Sequence, residues 1–167
     1  MSINECRKIY REAFGIEEDF ENRLFSACAD YCKTLCINGK TVSILFALPC
    51  NICKNGGIIP AYYIFAAATK KEFRGKGYMS LLINSLETDR LLFLKPANAP
   101  LFKFYEKLGF KRFEISADES SPIYAEPTDG FARLILSEKP ISTDCTALYK
   151  HKKTADIGGL YFPYLME

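Results

Sequence analysis

The chain of 167 residues is the size of one domain, long enough to bury a sizeable core and too short for two full ones. With 49% hydrophobic and 25% charged residues it matches ordinary globular proteins, which excludes intrinsic disorder and fibrous architecture. Lys and Arg number 22 against 20 for Asp and Glu, and a net charge of +2 gives no electrostatic footprint for nucleic acid or an anionic membrane.

The N-terminus has no basic region followed by an apolar core, so no secretory signal is read there. The longest apolar stretch, residues 58–68, is too short for a bilayer and contains Pro60. Seven cysteines cannot all pair with one another, and reduced thiols in a cytoplasmic protein are expected.

Two helices open the chain. Ser2 and Glu5 have capping-box spacing, Cys6, Ile9, Tyr10 and Ala13 share a face, and Gly15 marks the stop. Phe20, Leu24, Ala27 and Cys28 give the second helix its apolar stripe. The period then changes: residues 31–37 and 41–50 read as strands joined at Asn38-Gly39, a two-residue hairpin signal. After a turn at residues 54–57, residues 61–69 are apolar throughout, as expected of a central strand buried on both faces.

A basic, glycine-punctuated segment, residues 70–77, leads into a third helix carrying Met79, Leu82, Ile83 and Leu86. Residues 91–94 read as a short strand. Asn98-Ala-Pro opens a fourth helix with Leu101, Phe104, Tyr105 and Leu108, where Pro100 is tolerated because first-turn amides have no helical partner. Gly109 ends it and residues 110–115 return to strand. The acidic, proline-containing stretch 117–129 is expected to be a loop, and residues 131–136 and 159–166 are further strand candidates. The layout predicts one mixed α/β domain spanning residues 1–167.

The chemistry concentrates where strand, basic glycine loop and helix follow one another. Glycines let the backbone turn sharply and approach a ligand, and a helix start presents unpaired amides backed by the positive end of its dipole. Such a site suits an anion, with a di- or triphosphate as its natural guest, and Arg74 and Lys76 add charge beside it. The loop fits neither the Walker A spacing nor the dinucleotide fingerprint.

Two segments together resemble the GNAT N-acetyltransferase superfamily. The loop Arg74-Gly75-Lys76-Gly77-Tyr78-Met79 resembles its acetyl-CoA motif, Gln/Arg-x-x-Gly-x-Gly/Ala. Asn98, seven residues before Tyr105, with Glu106-Lys107-Leu108-Gly109-Phe110 following, resembles its C-terminal motif. Both stand in family order, and the likeness covers roughly residues 31–113. One position departs: Met79 stands where Gly or Ala is usual, and its side chain narrows the space for a pyrophosphate without removing the amides.

The resemblance implies the GNAT fold, a central mixed, mostly antiparallel twisted sheet flanked by helices, and transfer of an acetyl group from acetyl-CoA to an amine by direct attack. It implies that the amides of residues 74–79 (Arg74, Gly75, Lys76, Gly77, Tyr78, Met79) hold the CoA pyrophosphate. The strand edge at Ala67 and Thr69 would pair with the pantetheine amides, and Asn98 would contact CoA or fix the strand-to-helix junction. Tyr105 would protonate the departing thiolate. A phenol (pKa about 10) and a thiol (about 8.5) are close enough for that transfer to cost little. Core packing is the alternative for Tyr105, and a catalytically inactive CoA-binding module of the same fold is the alternative for the whole chain.

The general base stays open among Glu72, a glutamate of the acidic loop and ordered water. The acceptor, a small molecule or peptide amine, also stays open. Asp118, Glu119, Glu126 and Asp129 in a stretch with no Lys or Arg favour a cationic one. No metal is expected: Cys50 and Cys53 have zinc-knuckle spacing, but a site needs four converging ligands, and Cys28 lies in a helix while Cys32 and Cys36 lie in an expected strand. His151, within a basic run, is expected at the exposed surface. A monomer or homodimer without a nucleic-acid or membrane partner is expected.

Overall fold

Two Asn-Gly turns set the sheet in register. Asn38 and Gly39 adopt φ of 49° and 75°, and Asn55 and Gly56 adopt 50° and 76°. This is the type I′ geometry whose twist matches a β-hairpin, and Asn and Gly are the residues that tolerate it. In the computed structural model, which describes residues 2–86, 88–130, 132, 143–153 and 155–162, these turns make β1 (Cys32–Ile37), β2 (Lys40–Lys54) and β3 (Gly57–Thr69) successive neighbours. Strands β2 and β3 are longer than the patterning predicts, because the second turn carries them out to Lys54 and Gly57.

The other elements are α1 (Ile3–Phe14), α2 (Glu18–Cys28), α3 (Tyr78–Asn84), β4 (Leu91–Leu94), α4 (Ala99–Lys107), β5 (Lys111–Ser116), β6 (Ile123–Pro127), β7 (Cys145–Lys150) and β8 (Leu160–Tyr161). The mixed α+β architecture is the expected one. Among the described residues no helix is long and apolar enough to cross a membrane.

The chain divides into two compact units, Met1–Leu48 with Ile64–Glu87, and Pro49–Tyr63 with Thr88–Glu167. In the first, α1 and α2 pack on the β1–β2 hairpin, with Phe25 edge-on to Phe46 at 5.3 Å and Ile9, Leu24, Ile44 and Phe46 sealed from solvent. Each such side chain contributes about 1.5–3 kcal/mol on burial. Glu21 is buried among them and bridges Arg7 at 2.7 Å and Arg11 at 2.6 Å. Burial alone would raise its pKa, but hydrogen bonds and charge from Arg11 and Arg7 outweigh that and hold it below the usual carboxylate range.

In the second unit β3 pairs with β4 in parallel, from Ala61↔Leu91 to Tyr63↔Phe93. Strand β4 then pairs with β7, β7 with β5, β5 with β8 and β8 with β6, and β6 returns to β2 at Cys50↔Pro127 to close the ring. Tyr63, Phe93 and Phe162 fill its centre, with ring centroids 5.1–5.3 Å apart.

Three sequence expectations change. The Ser2 side chain makes no cap bond to α1; its carbonyl accepts from Glu5 at 3.1 Å, and the Glu5 carboxylate instead accepts from the Thr41 hydroxyl at 2.8 Å. The capping box yields to a tertiary partner. The acidic stretch 117–129 is not all loop, since β6 lies within it with Ile123, Ala125 and Pro127 inward and Tyr124 and Glu126 outward. Residues 61–69 are not buried on both faces, because Phe65, Ala66 and Ala67 are half-exposed. The strand candidate at residues 131–136 lies outside the described residues, Ala132 apart, and of the candidate at 159–166 the described part holds β8.

Candidate functional site

The glycine loop belongs to the first unit. At the end of β3 the Thr69 hydroxyl bonds the buried Ser43 hydroxyl at 2.8 Å, and the Lys70 amide donates to the Val42 carbonyl at 2.9 Å, which fixes the strand end. A single 3₁₀ turn, Lys71–Phe73, redirects the chain. Arg74 Nε then donates back to the Thr69 carbonyl at 2.9 Å, closing the loop on its own strand. Glu12 of α1 accepts the Lys71 backbone N–H and lies 3.8 Å from Arg74 Nη2. Lys76 sits over the Phe73 ring, 5.2 Å from its centroid.

Gly75 and Gly77 adopt φ of 75° and 76°, a left-handed conformation that costs other L-residues about 1–2 kcal/mol. A Cβ built on either would meet nothing within 4 Å, so the open space beside them faces no protein atom. Helix α3 begins at Tyr78, and Leu81 is its first amide with a helical acceptor, the Gly77 carbonyl at 3.0 Å. The amides of Tyr78, Met79 and Ser80 are therefore left unbonded by the helix. Open space, unbonded amides and the exposed basic side chains of Arg74 and Lys76 together suit a phosphate chain.

Ala66 carries a conformation no pattern announces, φ of 49° within β3. A non-glycine residue held there is strained. The parallel ladder with β4 ends at Tyr63, so residues 64–69, including Ala67 and Thr69, pair on the β2 side of the sheet alone. Glu12 and Ala66 are the two site elements the sequence does not disclose.

The second motif is carried by α4 of the second unit. Asn98 is its N-cap: Oδ1 accepts from the Leu101 amide at 3.1 Å, with Pro100 in the first turn. Of the two roles expected for Asn98, the structure shows the junction-fixing one. Tyr105 is 6% exposed, its ring between Phe104 at 5.0 Å and Phe110 at 5.6 Å, so the packing expected of it is present. Burial pushes its phenol up to about 12. No described residue bonds its hydroxyl.

The acidic residues expected near an acceptor are partly occupied. The Asp118 carboxylate accepts from the Ser120 amide at 2.9 Å and hydroxyl at 2.8 Å, which holds it below the usual carboxylate range. Asp129 Oδ1 accepts from the Ala132 amide at 3.1 Å. Among candidate bases, Glu72 pairs with Lys70 at 3.1 Å. Among the described residues no three His, Cys, Asp or Glu side chains gather as a metal site. Cys50 is buried in β2, while Cys53 stands opposite Tyr124 across the β2–β6 ladder.

Residues 2–113 match the family described as "Acetyltransferase (GNAT) domain", and the chain belongs to that family. No curated protein matches it in sequence. Among solved structures, the ribosomal-protein-S18-alanine N-acetyltransferase from Escherichia coli is similar with 15% identity and a TM-score of 0.55, over 92% of this chain and 90% of that one. A histone acetyltransferase HPA2 and related acetyltransferase from Corynebacterium glutamicum gives 16% and 0.56, over 92% of both chains. A GCN5-related N-acetyltransferase from Anabaena variabilis gives 22% and 0.57 over 70% of this chain, which spans only 32% of that protein's length. These likenesses establish the fold.

Proposed function

We propose that the protein transfers an acetyl group from acetyl-CoA to the amine of a small molecule or peptide. The observation that carries this reading is the 74–79 loop, where open space in front of Gly75 and Gly77 meets the unbonded amides at the start of α3. Acetyl-CoA supplies an acyl group activated as a thioester. The amides from Arg74 to Met79 hold its pyrophosphate, with Arg74 oriented by Glu12 and by the Thr69 carbonyl. The edge of β3 at Ala67 and Thr69, which β4 leaves uncovered, offers backbone groups to the pantetheine amides. Asn98 fixes the start of the helix that carries Tyr105, and the Tyr105 hydroxyl donates its proton to the departing sulfur. The acceptor amine attacks directly, with no acyl-enzyme.

One observation favours an inactive CoA-binding module instead: Glu12 and Glu72, two carboxylates next to the loop, are both engaged in salt bridges with Arg74 and Lys70. Turnover with a broad amine panel separates the two readings.

The binding step is tested by calorimetry with acetyl-CoA and by the rise in melting temperature that ligand linkage requires. A flat titration at millimolar acetyl-CoA overturns both readings. Gly77→Val is expected to weaken binding by at least about 100-fold, since its branched side chain fills the space before the amides, while backbone strain costs the fold about 1–2 kcal/mol. Gly77→Ala keeps that strain with less bulk and should bind more tightly than the valine variant. Equal losses in both would assign the effect to strain.

A further inference from the structure

We propose that a basic cavity at the end of β7 is a binding site for a phosphate group, separate from the 74–79 loop and independent of the function proposed above. Antiparallel pairing of Lys111 with Tyr149 brings the start of β5 beside the end of β7. The residues that follow, His151, Lys152 and Lys153, complete a cavity of about 100 Å³ with Gly109 and Lys150. At roughly 30 Å³ of liquid volume per water, it admits one phosphate-sized group and no whole nucleotide.

Charge selects the ligand. Lys111, Lys150, Lys152 and Lys153 line this cavity, and Lys152 Nζ contacts the Asp89 carboxylate at 2.5 Å. Lys111 and Lys153 make no salt bridge among the described residues. Lys150 Nζ instead lies over the Phe110 ring, 5.9 Å from its centroid. Like charges held this close repel one another, and a dianion reverses the sign of each of those terms. Several lysines lining one small cavity suit a tetrahedral group with several acceptor oxygens better than a planar carboxylate.

A second observation comes from His151, which is half-buried rather than exposed as its basic surroundings predict. Its Nε2 lies 3.1 Å from the Asp89 carbonyl and therefore carries a proton. Its Nδ1 is sealed from solvent with no hydrogen-bond partner. When the ring is protonated, Nδ1 becomes a donor, and a residue lining this cavity is then short of one acceptor. Nδ1 itself is not reached by a ligand, but an anion in the cavity offsets the charge of the protonated ring through space. The cavity lies by the C-terminal end of α4 and Asn98 caps the other end, a helix length of about 13 Å away.

His151 is the one histidine of the chain, so its imidazole proton resonances are unambiguous reporters. Titration with inorganic phosphate at fixed pH and ionic strength is expected to shift them along a saturable curve. Lys111→Gln with Lys153→Gln, both on exposed side chains, should weaken that binding about tenfold while the melting temperature holds. Gly77→Val should leave the curve unchanged. A nucleoside 5′-monophosphate that binds more tightly than phosphate identifies a nucleotide as the source; equal binding identifies the free anion. A linear shift that chloride reproduces, or a saturable one that the double variant leaves intact, overturns the proposal.

Discussion

Tyr105→Phe is expected to lower kcat by about 10²–10⁴-fold, the usual contribution of a positioned proton donor, with acetyl-CoA affinity nearly unchanged. The structure separates the catalytic role from the packing role. Phenylalanine keeps the ring contacts with Phe104 and Phe110, so packing survives. The lost hydroxyl has no partner among the described residues, and removing an unpaired hydroxyl costs the fold little. The melting temperature should therefore hold while turnover falls. With its phenol pushed up to about 12, the wild-type residue stays protonated across the neutral range, so the basic limb of the kcat profile should not come from Tyr105. Unchanged kcat in the variant returns the residue to packing alone.

The second large effect is on stability. Glu21→Gln keeps the shape of the side chain but strips the counter-charge from Arg7 and Arg11. Breaking a fully buried pair costs about 3–5 kcal/mol. Here Arg7 and Arg11 are 22% and 43% exposed, and water relieves part of the loss. About 2–3 kcal/mol is expected, or a fall in Tm of roughly 5–10 °C for a chain of this size.

The same carboxylate sets an acid dependence. In the unfolded chain a glutamate titrates near about 4.3, and in the fold Glu21 titrates lower. Between those two values the unfolded chain binds more protons, so stability falls as pH falls and is fully restored above the unfolded value. Urea unfolding across that window should show a slope that Glu21→Gln reduces. An identical slope in the variant would mean that Glu21 is not the group responsible.

Much of this architecture is legible before any coordinates. The Asn-Gly pair at residues 38–39 specifies its own turn, and the four apolar residues of β4 and the Asn98–Pro100 helix start stand where their local chemistry puts them. What stays hidden depends on partners far along the chain. Glu12 reads as a solvent-facing residue of α1, and its acceptor role exists only because Lys71 folds back 59 residues later. Glu21 reads as polar surface until two arginines of α1 enclose it. Ala66 has an unremarkable side chain, and its strain is imposed by the strand around it. Strand β6 is five residues inside an acidic, proline-containing stretch, and β7 buries the successive residues Ala147 and Leu148, which breaks the alternation a strand pattern needs.

The ring that closes through β2 and β6 leaves β1 as the strand with a single neighbour. An open edge is a template on which a second chain can polymerise, and β1 is built against that outcome. It has six residues, carries the exposed Lys33, and shifts register between Leu35 and Cys36, which bends its outer hydrogen-bonding groups out of line. Sheet extension from one copy to the next is thereby discouraged along β1. A homodimer, if the protein forms one, has reason to use another face.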